Sequence, residues 1–478
     1  MRLHSHINGR GWFLLHGALF ATALAYSLIQ QSFLWMAIPF AVLLMPLFIR
    51  YTHHFYFFLL LLLPLSTELE IGSTLSTDFP DELLMWLITG SFFLVILVNR
   101  KLVPGYFFSH PIFLMVVVCF GWAMVSCISS ADSWLSIKWV LAKLWYIIPF
   151  VVLPSVLLTT KENINKALWC LTIPMLLVAL QALLRHSFHD FSFEGVKEAM
   201  APFFRNHVAY SAMLVCLMVP VAGAYLYHAK NKRVRKLIAV GIAVGIAGIV
   251  FAYSRGAWVA AVMGIASVYI IRKKIIGWMI TLTITLVTVF SVWLIADDHY
   301  LQFANNHDQT IFHNNLEQHL QATVQGKDVS NAERFYRWVA GARMSTGKHW
   351  TGYGPNNFYP HYKNFTVNRF STWVSDNPEH SSVHNYFLLM LIEQGVPGLF
   401  FFSFLYFFML IYAQRLYHKL KTRYWKFVAM GIGVILVMIG GLIFMSDLIE
   451  TDKIGSLFWL CAGLLIVLHK KTIAMENA

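Results

Sequence analysis

Runs of apolar residues recur along the whole chain, separated by polar connections. A helix of about 20 apolar residues crosses the hydrocarbon of a bilayer. The runs do not alternate as transmembrane strands do, so the pattern predicts helices. Candidate spans cover residues 12–30, 33–49, 55–71, 83–98, 110–129, 137–158, 164–184, 207–228, 236–253, 256–271, 275–296, 397–413, 426–446 and 455–469. The third and tenth are short. The expectation is an all-α polytopic membrane protein with about 12–14 transmembrane helices and one large outer loop containing short helices. The chain divides accordingly into an N-terminal bundle over 1–296, the outer loop over 297–396 and C-terminal helices over 397–478. The first span follows Arg2 and Arg10 and contains Ala23-Leu24-Ala25, which has the form of a signal-peptidase site; an uncleaved first helix is expected.

Composition agrees. The chain of 478 residues is 58% hydrophobic and 12% charged, with mean hydropathy +0.61, against about 25% charged in soluble domains. Charge then sorts the connections. One set carries Arg50, Arg100, Lys101, Lys161, Lys166, the 230–236 cluster, Arg272, Lys273, Lys274, Arg415, Lys419, Lys421, Arg423, Lys426, Lys470 and Lys471, with only Glu162 and Glu476 as acids. The other set holds Glu68, Glu70, Asp78, Asp81, Glu82, Asp297, Asp298, Asp447 and Asp452. Lys/Arg bias marks the cytoplasmic side, which places both termini there. The net charge of +13 is therefore mainly a topology signal, and no folded domain offers a nucleic-acid patch. Cys119, Cys127, Cys170, Cys216 and Cys461 fall inside spans without metal or C-x-x-C spacing, as small buried residues.

Two outer segments are long enough for a site: Arg185–His207 and the loop from Asp297 to about Pro397. The second is polar through Gly326 and later rich in Trp, Tyr, His and Arg. Asn331–Met344 reads as a helix with Phe335, Trp338, Val339 and Ala342 on one face and with Arg334 and Arg337 near its start. Gly and Pro then punctuate a turn at 351–357. From His384 to Ala413 a single straight helix would measure ~45 Å, too long for ~30 Å of hydrocarbon. Gly395-Val396-Pro397-Gly398 is the natural break, with Pro397 suited to the first turn of a new helix. His384–Gln394 is then a short helix at, or dipping into, the outer surface, capped by Ser381 or Ser382. Glu393 falls on the side of that helix opposite His384. It either fixes the helix in a polar network or touches substrate. His380 and His384 have the spacing of two metal ligands, but no third ligand is evident and no metal site is assigned.

Arg205, Arg255 and Arg334 stand on the outer side, against the charge bias. Each is either paired or snorkelling, or part of an anion site, for which guanidinium forks are well suited. Three around one pocket would suit a diphosphate.

At these residues the chain resembles the O-antigen ligase and Wzy-type polymerase superfamily of bacterial inner-membrane glycosyltransferases. His384-Asn385 followed after nine residues by Gly395-Val396-Pro397-Gly398 fits the family's H-N-x9-G-x-x-G signature. Ser254-Arg255-Gly256-Ala257 matches its S-R-G turn. Arg334, Trp338 and Gly352-Tyr353-Gly354-Pro355-Asn356-Asn357-Phe358 match its outer-loop pattern, and Arg205-Asn206-His207 its entry to a span. The match covers about residues 200–415. The ligases of that superfamily commonly have about twelve spans, fewer than the candidates here, a departure that bears on the ligase subtype rather than the superfamily.

The resemblance implies transfer of a saccharide from a polyprenyl-diphosphate carrier to an acceptor hydroxyl at the periplasmic face, without cofactor or metal. Arg205, Arg255 and Arg334 would hold the diphosphate, and His384 would take the proton of the attacking hydroxyl. Asn385, Arg337, Glu393 and His380 are supporting candidates. Trp338, Trp350, Tyr353, Tyr359 and Tyr362 either line a sugar path or pack the loop onto the membrane. The acceptor stays open: lipid A–core for a ligase, a second lipid-linked glycan for a polymerase, or protein. A transporter or flippase would instead call for charges deep in spans and related halves. Lys138 and Lys143 are the main charges within spans, and no repeat is evident. A purely structural scaffold would not need arginines and a histidine gathered on one face.

Overall fold

The computed structural model describes residues 9–30, 33–70, 76–99, 101–228, 231–303, 329–372, 375–377 and 380–476. The polar stretch through Gly326 lies largely outside them. The protein is an all-α polytopic membrane protein. Every candidate span is helical in whole or in large part, but fewer qualify as crossings than the 12–14 expected. Among the described residues, ten helices are long and apolar enough to cross a membrane, or eleven if one bent pair counts as a single span. That pair, Ile38–Arg50 and Thr52–Leu65, bends by 109°, so the second and third candidates form one broken element. Gly9–Ile29 is helical, with His16–Ile29 among the shorter apolar helices. In Lys232–Val250 the first turns are given to Lys232, Arg233, Arg235 and Lys236, which shortens the apolar stretch. The third candidate also ends early, because Thr67–Glu70 pairs antiparallel with Ser76–Phe79 in a small hairpin.

The connections sort by charge in space as well. At one end, Tyr424 Oη donates to the Lys161 carbonyl (3.2 Å) and to Asn165 (2.8 Å), Arg423 donates to the Leu226 carbonyl (3.3 Å), and His418 meets the Ile271 carbonyl (2.9 Å). These contacts gather the lysine- and arginine-rich connections. The carboxylate-rich connections lie at the opposite end.

Packing ties the C-terminal helices into the earlier ones. Gly264 lies against Met438, Gly441 against Met263 and Gly433 against Ile271. The Arg255–Arg272 and Arg423–Phe444 helices are therefore antiparallel, held close by small residues as membrane helices commonly are. This register sets Arg255 level with the connection after Phe444.

The helix expected over 331–344 spans Val329–Ser345, but it buries a different face. Ala332, Glu333, Tyr336, Arg337, Ala340, Gly341 and Met344 point inward, Phe335, Trp338 and Val339 are half-buried, and Ala342 is exposed. Apolar periodicity missed this because the inward stripe contains an ion pair: Arg337 Nη2 donates to Glu333 Oε2 at 3.2 Å.

The break at the start of the twelfth candidate span falls where the glycines place it. Tyr386–Lys419 is helical on both sides of Gly395, whose φ of 70° and ψ of −172° interrupt it. Few residues other than glycine adopt that backbone. A break inside a membrane protein needs partners for the freed backbone groups, and the 349–358 turn supplies them. Tyr353 N donates to Ile392 O (3.0 Å), Gly354 N to Glu393 O (2.8 Å) and Val396 N to His349 O (2.8 Å). Trp122 Nε1 adds a bond to Gln394 O at 2.8 Å. A Cβ on Gly352 would overlap the Glu393 peptide, and one on Gly395 the Trp350 carbonyl. Turn and break are one interlocked unit.

Candidate active site

His384 lies just before the broken helix, not in it. Asn385 is the N-cap, its side chain accepting from Leu388 N at 3.0 Å, and Tyr386 is the first helical residue. The expected caps do other work: the Ser382 hydroxyl accepts from His384 N at 3.2 Å, while the Ser381 amide donates to Asn377 Oδ1 at 2.9 Å. The reason is local. His384 has φ of 54°, a left-handed conformation that ends any helix reaching it from upstream and is uncommon outside glycine. Surrounding bonds hold it there: Asn377 also donates to Ser381 O (2.9 Å), and Arg337 Nη1 to Ser382 O (3.4 Å). The short helix is packed within the bundle end, with Tyr386, Leu389, Met390, Ile392, Glu393 and Gln394 buried.

The strained backbone turns His384 Nδ1 toward Asp447 Oδ1, 3.7 Å away, with both side chains about 30% exposed (31% and 29%). Burial alone would raise the Asp447 carboxyl. The His384 imidazole and the Ser382 hydroxyl outweigh it and hold the group below the usual carboxylate range. Asp447 drew no individual role from the sequence. The available signal was its place in an acidic outer connection, but the pairing joins residues distant in the chain.

The supporting candidates separate. Arg337 is buried between Glu333 and the Ser382 carbonyl; Glu333 in turn accepts from Ser375 Oγ (2.6 Å) and from Thr372 Oγ1. Its charge is committed to holding the loop that carries His384. Glu393 Oε1 accepts from Phe358 N at 3.2 Å, and its carbonyl belongs to the interlock. His380 is not beside His384 on a helix. It stacks on Tyr359 with ring centres 4.1 Å apart. Among the described residues no three His, Cys, Asp or Glu gather as a metal site.

The three arginines share the carboxylate-rich end. Arg205 precedes the His207–Tyr227 helix, whose N-cap is Asn206, and Arg255 opens the Arg255–Arg272 helix after Ser254. Helix N-termini carry partial positive charge, so both guanidiniums add to a field that favours anions. Arg205 lies 3.8 Å from Glu68 and stays 67% exposed, so an anion can reach the guanidinium beside that carboxylate. Arg334 Nη1 donates to Asn331 at 3.2 Å. One turn on, Trp338 meets Phe444 at 6.2 Å between ring centres, which brings the loop helix to the end of the Arg423–Phe444 helix.

That helix leads into the connection around which the site is arranged. Asp447 pairs with His384 there. Glu450 accepts from Lys143 Nζ (2.8 Å) and Trp139 Nε1 (2.7 Å). Lys453, at the start of the Asp452–Glu476 helix, donates to Ser66 O (2.9 Å) and to Phe203 O. Among the aromatics of the outer segment, Tyr362 is fully buried and stacked on Phe358, whereas Trp350 is 67% exposed.

The helices and this one-sided polar site define a multi-pass membrane protein with its candidate chemistry at one end of the bundle. Residues 238–403 match the family model described as O-antigen ligase, so the chain carries that domain and the match supports its place in the O-antigen ligase/Wzy superfamily. The family supports a membrane enzyme of the ligase or polymerase type, with glycosyltransferase-like activity on lipid-linked glycans. No curated protein matches the chain. The matched segment includes Arg255, Arg334 and His384; Arg205 and the 447–453 connection lie outside it.

Proposed function

We propose that the protein transfers a glycan from a polyprenyl-diphosphate carrier to an acceptor hydroxyl at the periplasmic face of the bacterial inner membrane, in the manner of an O-antigen ligase acting on lipid A–core. The observation that carries this reading is the His384–Asp447 pair, set by a left-handed backbone at the end of the bundle that also presents Arg205, Arg255 and Arg334. With Nδ1 toward Asp447, the Nε2 lone pair is the one offered to substrate. His384 takes the hydroxyl proton as the acceptor oxygen attacks the anomeric carbon. The bond from that carbon to the diphosphate breaks, and the carrier diphosphate leaves with the electron pair. The arginines stabilise the charge that grows on it, and Asp447 offsets the imidazolium.

The test is transfer by purified protein in nanodiscs, given a polyprenyl-diphosphate oligosaccharide and, separately, lipid A–core, a second lipid-linked glycan or a protein acceptor. Transfer to lipid A–core alone supports the ligase reading. Transfer to the second glycan assigns a polymerase, and transfer to protein an O-oligosaccharyltransferase. Movement of intact carrier across the bilayer without a new glycosidic bond would replace the reading with a flippase.

A further inference from the structure

Lys453 lies outside the matched segment and has no part in the chemistry above, yet it is 7% exposed, at the start of a helix enclosed within the bundle. A buried ammonium is costly unless its donors are bonded and its charge is balanced. Its donors are bonded. Nζ donates to Ser66 O at 2.9 Å and to Phe203 O, and it sits 4.1 Å from the centre of the Phe204 ring. Asp78, Asp81 and Asp452 lie within electrostatic range of it.

Each of the two carbonyls precedes a charged side chain by two residues. Beyond Ser66 stands Glu68, beyond Phe203 stands Arg205, and those two side chains meet at 3.8 Å. Glu68 is also the cross-strand partner of Asp78 in the hairpin. Directly opposed residues project on one face, where two carboxylates repel unless cations separate them. Arg205 stands by Glu68, and Lys453 acts on Asp78. The hairpin, the loop before the His207–Tyr227 helix and the start of the Asp452–Glu476 helix thus close on one lysine.

We propose that Lys453 is the positioning residue for Arg205. By bonding the backbone on both sides of the Glu68–Arg205 pair, it fixes the guanidinium for the donor diphosphate, and through the connection that also bears Asp447 it sets that anion site relative to His384. The proposal rests on the reading of Arg205 as a diphosphate ligand.

The experiment compares donor KM and kcat in nanodiscs for wild type, Arg205→Ala, Lys453→Met, Lys453→Arg, Glu68→Gln and the Arg205→Ala/Lys453→Met double variant. Lys453→Met is expected to raise donor KM about tenfold with kcat changed less than about threefold. Lys453→Arg, which can still donate to both carbonyls, should restore KM to within about threefold. In the Arg205→Ala background, Lys453→Met should change KM by less than about twofold, because the effect runs through that guanidinium. Should Lys453→Met fail to fold, Glu68→Gln carries the test, with an expected rise in KM of about two- to fivefold. An Arg205→Ala defect beside unchanged KM in both Lys453→Met and Glu68→Gln would overturn the positioning role and leave the diphosphate reading standing. A Lys453→Met loss of equal size in the Arg205→Ala background would also overturn it. Unchanged donor KM in Arg205→Ala would remove the diphosphate reading and the positioning role together.

Discussion

The two ends of the helix bundle differ in whether their cations meet carboxylates. At the basic end, cations rest on rings and carbonyls: Arg423 lies over Tyr227 and Phe427, Lys161 over Tyr424, and Lys471 over Trp425. Such contacts let long side chains cover apolar surface while the charge reaches water. At the other end cations meet carboxylates: His384 with Asp447, Lys143 with Glu450, Arg337 with Glu333, and Arg205 with Glu68. Charge that only orients a chain in a membrane needs a side, not a position. Charge that handles a substrate needs a position, and carboxylates with backbone carbonyls supply it.

Substitutions at the two ends should therefore differ by orders of magnitude. His384→Ala should lower kcat by about 10²–10⁴ with little change in donor binding; full transfer by this variant would remove the base assignment. Gly395→Ala comes next. A side chain there meets the Trp350 carbonyl in a backbone region that costs about 1–3 kcal/mol or more outside glycine. Unfolding at lower temperature and a roughly hundredfold loss of turnover are expected, because the break and the loop before His384 share the interlock.

Asp447→Asn should reduce kcat by about ten- to a hundredfold, less than for a fully buried orienting carboxylate, with donor KM nearly unchanged. Its pH dependence has a defined sign. The native carboxyl is held below its unfolded value, so the pair's contribution to stability is fully present above the ordinary carboxylate range near 4. It is lost as pH falls through the depressed native value. The difference in unfolding temperature between wild type and variant should therefore shrink on acidification; a constant difference would argue against the ion pair. Smallest of all, Arg423→Gln at the basic end should leave turnover within about twofold and stability within about 0.5 kcal/mol. A large activity loss there would erase the contrast.

The range of each interaction determined whether the sequence made it legible. The helices, the loop helix and the break at Gly395 were readable because apolar periodicity, Gly and Pro act over a few residues. Among the described residues fewer helices qualify as spans than expected, because apolar length does not report that a helix turns by 109° and continues, or that its first turns are charged. The inward face of the loop helix was not legible because Glu333 and Arg337 enter the interior only as a pair. The shared end of the arginines was suggested by the charge bias. Asp447, Glu450 and Lys453 received no role because their partners, at 384, 143, 66 and 203, are distant in sequence, and no local rule joins them. Even the N-cap moved, from a serine to Asn385, because of one positive φ at His384.

The interlock also limits how this protein can be rebuilt or can diverge. The 349–358 turn and the 392–396 break exchange backbone bonds in both directions, so neither has a complete set of partners without the other. A chimera that imports an outer loop from a relative but retains the host's broken helix would join two halves shaped for different mates. Exchange should succeed when the segment is cut beyond Pro397, so that loop and break travel together. Acceptor preference, if it resides in that loop, would then be inherited as a cassette with part of a membrane helix attached.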